Sequence, residues 1–145
     1  MKKTNTHILG FTLLAAFLML LTPACKKDMP SAELELSYQM LSNKKWFLDY
    51  AQTIVGNNVT TRNYLGQSTY FVVFYANRTT IDSDGIKGTY TVTNTNGQLD
   101  IKVIGTTANN AAVEYNYKAE SIGSSTLVLS YTSNNIITKL YYTAK

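Results

Sequence analysis

The sequence predicts an all-β protein, an antiparallel up-and-down β-barrel of about eight strands preceded by a short N-terminal helix. After Asn43, apolar and polar residues alternate in a series of short segments, which is the pattern of half-buried strands. Turn-forming pairs such as Asn96-Gly97 separate these segments, and no crossover helix is indicated. A meander of this kind leaves two unpaired edges, and closure into a barrel removes them. A β-sandwich is the alternative, but it needs longer connections than most of the chain offers.

The N-terminal segment of this 145-residue chain is typical of a signal peptide. Lys2 and Lys3 precede an apolar run from Ile8 to Leu21, which is shorter than the roughly 20 residues needed to span a membrane. Ala24 and Cys25 follow that run after two further residues. This ending resembles the lipobox of bacterial lipoproteins.

The lipobox resemblance implies cleavage before Cys25 and acylation of Cys25 by fatty acids such as palmitate. Residues 1–24 are then the signal peptide, residues 25–30 a lipidated tether and residues 31–145 the barrel domain. Several acyl chains hold a protein stably on a membrane, so the membrane is the first expected partner. No Asp directly follows Cys25, which favours the outer membrane and leaves the periplasmic and cell-surface faces both open. An ordinary secreted protein with a chance cysteine is the alternative.

Histidine and cysteine are missing from the predicted domain, because His7 and Cys25 are the only residues of these types. This excludes histidine-based triads, Cys–His pairs, His/Cys zinc sites and disulfides there. The stretch from Asp82 to Gly85 suggests a calcium loop, but the distal acid that such a loop requires is absent, so we predict an ordinary turn. We therefore expect no metal, no cofactor and no catalytic residue, and we predict that the protein is not an enzyme.

The charge balance gives no reason to expect nucleic acid as a partner. The chain has 13 Lys and Arg residues, two of them in the leader, against 9 Asp and Glu residues. Nucleic-acid-binding domains normally carry a basic patch. Because the acidic residues fall near the leader, in turns or on the polar faces of strands, we expect no charged side chain to face the barrel interior.

Two apolar features are expected to build the core. Leu34, Tyr38 and Leu41 recur with the spacing of one helix face. Trp46 begins the first strand, and we predict that it plugs one end of the barrel against this helix. The dense run Phe71–Tyr75 predicts a strand that is buried on both faces.

Tyrosine is the aromatic residue that recurs on the apolar faces of the predicted strands. If the barrel encloses a cavity, these rings and hydroxyl groups would line it and bind a small apolar or aromatic ligand. The alternative is a barrel that fills itself with its own side chains. The six candidate ligand-binding residues are Tyr50, Tyr90, Tyr115, Tyr117, Tyr131 and Tyr142.

Several short motifs follow one another from Leu41 to the end of the chain. They are LSNKKWFL at 41–48, Tyr75, Asp84-Gly85, GTYTV at 88–92, LVL at 127–129 and KLYY at 139–142. In this order they resemble the lipocalin-like domains of lipoproteins from Bacteroidetes. The resemblance implies a closed barrel on an envelope lipoprotein.

Two functional classes follow from the sequence. The first is a non-catalytic, membrane-anchored carrier or sensor whose barrel encloses a small hydrophobic ligand. The second is a structural or interaction module of the cell envelope, with a filled barrel that docks onto another envelope protein or a glycan through its outer face or loops. The alternative partners besides the membrane are thus a small-molecule ligand and such an envelope protein or glycan.

Overall fold

One helix and nine antiparallel strands make up residues 31–145, the part of the chain that the computed structural model describes. The predicted signal peptide, the tether and Cys25 lie outside these residues. The elements are α1 (Ser31–Leu41), β1 (Lys44–Val55), β2 (Asn58–Asn63), β3 (Phe71–Phe74), β4 (Thr79–Asp82), β5 (Lys87–Thr95), β6 (Gln98–Thr106), β7 (Ala112–Ile122), β8 (Thr126–Ser133) and β9 (Ile136–Ala144).

The sheet closes because β1 is paired on both of its edges. Trp46 lies opposite Val72 of β3 on one side and opposite Ala144 of β9 on the other. Each of the strands from β3 to β8 pairs with the next one along the chain. The predicted antiparallel barrel of about eight strands is thereby confirmed, as is the short helix before it.

The ninth strand, β2, shares an edge of β1 with β3. It pairs with the second half of β1, from Tyr50↔Asn63 to Val55↔Asn58, whereas β3 pairs with the first half. Within the described part of the chain, the other edge of β2 has no partner strand. All six residues of β2 are exposed, so this strand extends the wall beyond the closed ring.

A β-bulge interrupts the pairing of β1 with β9. Leu48 lies opposite Tyr142, but Tyr50 lies opposite Tyr141, so Asp49 is an extra residue in β1. Because side chains alternate between the two faces of a strand, one extra residue moves every later side chain to the opposite face. Leu48 therefore points inward and Tyr50 points outward.

The two ends of the barrel differ. The closed end carries α1, the turns after β3, β5 and β7, and the last residue, Lys145, whose backbone N–H donates to the carbonyl of Lys45 at 3.4 Å. The open end carries the β1–β2 hairpin, the segment 64–70 and the turns after β4, β6 and β8. This distribution follows from the antiparallel order. Each strand runs from one end of the barrel to the other, so alternate turns lie at the same end.

The buried core fills the half of the barrel next to the closed end. Trp46 has no exposed surface, and its indole Nε1 donates a hydrogen bond of 2.9 Å to the carbonyl of Leu41. Leu34 and Tyr38 of α1 pack against the same core, and the hydroxyl of Tyr38 accepts a hydrogen bond of 2.7 Å from the backbone N–H of Val92. The structure thus places Trp46 where the sequence predicts it, between the barrel and the helix.

Two facing glycines let β5 and β6 approach closely. Gly88 lies opposite Gly105, and a Cβ atom on Gly88 would lie 2.2 Å from the backbone oxygen of Ile104. A Cβ atom on Gly105 would lie 2.6 Å from the oxygen of Lys87. Both contacts are with backbone, which cannot move aside as a flexible side chain can.

The prediction that the Phe71–Tyr75 run is buried on both faces is wrong. The strand β3 has four residues, of which only Phe74 is fully buried. A barrel wall is a single layer, so alternate residues of β3 face outward. The Phe71 ring packs beside Phe47, with centroids 6.4 Å apart, and Lys45 Nζ lies 3.7 Å from its centroid.

Across residues 31–145, no helix has the length and apolar character needed to cross a membrane.

Candidate functional site

A cavity of about 340 Å³ opens at the open end of the barrel. We call it the mouth cavity. It lies beyond the filled core, where tyrosines make up a large share of the lining. Its lining residues are Leu48, Tyr64, Tyr70, Phe71, Val72, Asp82, Ser83, Asp84, Ile86, Tyr115, Tyr117, Tyr131, Leu140 and Tyr142.

Four of the six sequence-predicted tyrosines come together in the mouth cavity. Tyr115 and Tyr117 lie two residues apart on β7 and therefore share one face of that strand. Tyr131 lies on β8 and Tyr142 on β9. The rings of Tyr115 and Tyr117 are roughly parallel, with centroids 5.8 Å apart, and Tyr131 meets Tyr117 edge-on at 5.9 Å. The cavity therefore presents aromatic faces in more than one direction.

Tyr90 lies in the closed half of the barrel and does not line the mouth cavity. Its side chain is 1% exposed and its ring meets Phe74 edge-on, with centroids 5.0 Å apart. Its hydroxyl donates to the carbonyl of Tyr75 at 2.9 Å. Alternation places Tyr90 on the inner face, as expected, but its position along β5 puts it in the core.

Tyr50 lies on the outer face of the barrel. The bulge at Asp49 reverses the alternation of β1, and the Tyr50 ring stacks on Tyr141 with centroids 4.2 Å apart. The hydroxyl of Tyr141 in turn donates to Oε1 of Gln52 at 2.9 Å. The expectation that Tyr50 shares the inner face with the other five tyrosines does not hold.

Two further tyrosines of the cavity were not among the predicted site residues. Tyr64 and Tyr70 flank the segment between β2 and β3, and their rings meet edge-on with centroids 4.7 Å apart. Because this segment is not a strand, alternation gives no information on where its side chains point. The sequence offers one signal for these residues, which is that the two tyrosines lie on either side of a turn-forming segment around Gly66.

Two acidic residues also line the mouth cavity, so the expectation that no charged side chain faces the interior is wrong. Asp82 and Asp84 lie in and after β4, at the open end. Oδ1 of Asp82 accepts hydrogen bonds of 2.9 Å from the backbone N–H groups of Asp84 and Ile86. These bonds form the turn that the sequence predicts, and this turn places both residues in the lining of the cavity.

The cavity environment raises the pKa of three side chains, those of Tyr117, Tyr142 and Asp82. Burial raises the pKa of Tyr117 and of Tyr142 far above the ordinary value, and the nearby tyrosines and Asp82 raise both further. Burial also raises the pKa of Asp82, against the opposing effect of the N–H donated by Ile86. At neutral pH, Tyr117 and Tyr142 are therefore neutral hydroxyl groups.

The cavity hydroxyl groups are available to a ligand. Within residues 31–145, the hydroxyls of Tyr115, Tyr117, Tyr131 and Tyr142 form no hydrogen bond to protein, in contrast to those of the structural tyrosines described above. No Lys or Arg side chain of the described region lines the cavity. The described residues also contain no group of three or more His, Cys, Asp or Glu placed to hold a metal ion.

No protein-family model, curated protein or solved structure matches this chain.

Proposed function

We propose that this chain is a lipid-anchored lipoprotein of the bacterial outer membrane whose lipocalin-like barrel binds a small ligand without catalysis. The observation that carries the proposal is the mouth cavity, which is lined by four tyrosines from three strands whose hydroxyls form no hydrogen bond within residues 31–145. Ligand sites are typically concave, mostly apolar and furnished with a few polar groups. The mouth cavity is likewise concave, and it joins aromatic and aliphatic side chains to hydroxyl and carboxylate groups.

The size of the cavity limits the ligand. Known small-molecule pockets begin at about 300 Å³, and the mouth cavity measures about 340 Å³. A ligand of one or two rings fits this volume. The filled core around Trp46 and Tyr90 bars a deeper position.

A non-catalytic role agrees with the chemistry of the lining. Besides the tyrosines, Ser83 is the only hydroxyl residue that lines the cavity among residues 31–145, and its Oγ accepts a hydrogen bond from the backbone N–H of Phe71. The predicted domain has no histidine or cysteine to serve as base or nucleophile.

The alternative function, an interaction module of the envelope, is supported by β2. This strand is exposed throughout and leaves one edge unpaired within the described residues, and Val59 on it is 57% exposed. Such an edge can accept a strand from another protein. A barrel that binds no small molecule but retains a partner through β2 would fulfil this alternative.

Ligand binding is tested by dye titration and native mass spectrometry of the purified domain. We expect the parent protein to bind a hydrophobic fluorescent dye or to retain a small molecule, and Tyr117→Ala to weaken dye binding about tenfold through loss of aromatic contact area. Tyr50→Ala removes the same atoms from the outer face and should bind dye normally. A parent protein that neither binds dye nor carries a ligand contradicts the carrier function and leaves the interaction module.

The lipid anchor is tested separately. Cys25→Ser should release the protein to the soluble fraction or leave the leader uncleaved, while Lys26→Ser, which keeps the cysteine, should still fractionate with membranes. Unchanged membrane fractionation and mature size of Cys25→Ser would contradict the lipobox interpretation.

A further inference from the structure

We propose that the ligand of the mouth cavity is an organic cation, such as an aromatic or quaternary amine. This inference rests on the proposed ligand-binding function and names the ligand class. It is carried by two features of one cavity: tyrosine rings in its lining, and two carboxylates that form no ion pair with any cation of residues 31–145.

The tyrosines form walls suited to a cation. The faces of aromatic rings carry negative electrostatic potential, and a cation within about 6 Å of a ring centroid is attracted to it. Tyr117 and Tyr131 stand almost perpendicular, at 82°, so one small group can touch the face of one ring and the edge of the other. In the described part of the chain, no Lys or Arg lies over the rings of Tyr115, Tyr117, Tyr131 or Tyr142.

The protein uses the same interaction elsewhere with its own cations. The guanidinium of Arg78 lies over Tyr38, and Lys44 Nζ lies 5.3 Å from the centroid of Trp46. Near the cavity, Arg62 lies 5.2 Å from the ring centroid of Tyr64, and Lys45 contacts Phe71, but neither cation lines the cavity itself. The rings of the inner wall are thus left to a ligand.

The carboxylates of Asp82 and Asp84 favour a ligand with a positive charge. Oδ1 of Asp82 is occupied by backbone N–H groups, whereas its Oδ2 and both oxygens of Asp84 have no hydrogen-bond or ion-pair partner within residues 31–145. The ion pairs of the described region join Arg78 with Glu35, Lys102 with Glu114 and Lys139 with Glu120, and none of these residues lines the cavity.

The two features together discriminate among ligands. An anion would meet two carboxylates in a partly desolvated site, which is unfavourable. A neutral aromatic molecule would gain apolar burial only. A cation of the same shape would gain that burial and, in addition, the attraction of the rings and the carboxylates.

The test compares three probes of similar size by isothermal titration calorimetry on the purified domain: benzyltrimethylammonium, its neutral isostere neopentylbenzene, and the anion benzenesulfonate. We expect the cation to bind at least about tenfold tighter than the isostere, the anion not to bind, and the cation's affinity to fall as salt is raised.

Two variants test whether Asp82 and Asp84 cause the preference for a cation. The variants are Asp84→Asn and Asp82→Asn, and the latter keeps an Oδ1 acceptor for the turn. Each should weaken the binding of the cation about five- to tenfold and leave the affinity for the neutral isostere unchanged. Glu33→Gln, on the exposed face of α1 at the closed end, removes a charge of the same sign and should change nothing. Near-ultraviolet circular dichroism checks that each variant folds.

The outcomes separate the inference from the proposed function. If the isostere binds as tightly as the cation, or if the aspartate variants leave the cation's affinity unchanged, the cation inference is overturned while ligand binding stands. If none of the three probes binds and the parent also fails to bind dye, both are overturned.

Discussion

The indole N–H of Trp46 donates to the backbone carbonyl of Leu41, and neither side chain has any exposed surface. The bond joins the first barrel strand to the last residue of α1, five positions earlier in the chain. It satisfies a carbonyl that a helix end leaves without an intrahelical partner. The helix is thereby fixed over the closed end at the point where the chain turns into β1.

Trp46→Phe should therefore lower the free energy of unfolding by about 2–4 kcal/mol, because it removes core volume and leaves the Leu41 carbonyl unpaired in a buried site. Urea unfolding measures this loss. Phe47→Leu, at the next and outward-facing position of β1, is the control and should cost less. An equal loss in both variants would contradict the structural role of the indole bond.

Gly88→Ala should destabilise the barrel by more than about 2 kcal/mol, since the new Cβ would overlap the backbone of Ile104 and push β5 from β6. The matched control is Gly123→Ala, where the Cβ would lie 3.0 Å from Oγ1 of Thr126, a side-chain atom that can rotate away. Thermal unfolding of both variants distinguishes them. A Gly88→Ala protein as stable as the control would show that the strands separate at little cost.

Ser130→Ala should make the stability of the protein less dependent on pH below neutrality. The hydroxyl of Ser130, with a further contribution from Lys139, lowers the pKa of Glu120 below its ordinary value of 4.5. A carboxyl whose pKa is lower in the folded state stabilises the fold above its unfolded pKa, and this contribution is lost as pH falls through the folded pKa.

Urea unfolding at neutral and acidic pH, together with an NMR titration of Glu120, tests this dependence. In the parent protein, stability should fall as pH drops below about 4.5. The pKa of Glu120 should rise in Ser130→Ala but not in Ser133→Ala, at the end of β8. A Glu120 titration that is the same in all three proteins would contradict the contribution of Ser130.

Hydrogen exchange should distinguish the closed ring from the extra strand. We expect slow exchange at the backbone N–H groups of Trp46 and Phe47, because β1 is paired on both edges there. The groups of β2 that face away from β1 should exchange fast, since that edge is unpaired in the described region. Fast exchange throughout 46–48 and 140–142 would indicate an open sheet in place of a barrel.

Sequence pattern predicted the strands and the barrel well because alternation directly reports which face of a sheet a side chain occupies. It does not report the position of that side chain along the barrel axis. Tyr90 and Tyr117 have the same inward parity, yet one lies in the core and the other in the mouth cavity. That position depends on strand register, which is set by pairing partners far away in the chain.

Local irregularities of the chain explain the remaining differences between the sequence-based predictions and the structure. The bulge at Asp49 reverses the side of Tyr50, and no Gly or Pro marks it in the sequence. The acids Asp82 and Asp84 have the residue types of an exposed turn, but the turn lies at the rim of a cavity. A pattern of residue types cannot tell these two surroundings apart.

The chain enters and leaves the barrel at the same end. Ser31 and Lys145 both belong to the closed end, opposite the mouth cavity. If Cys25 carries the proposed lipid anchor, its short tether joins the barrel at the plugged end, and the opening would then face away from the bilayer. Under the proposed function, a ligand would then reach the mouth cavity from solution, and a reporter fused after Lys145 would leave the entrance unobstructed.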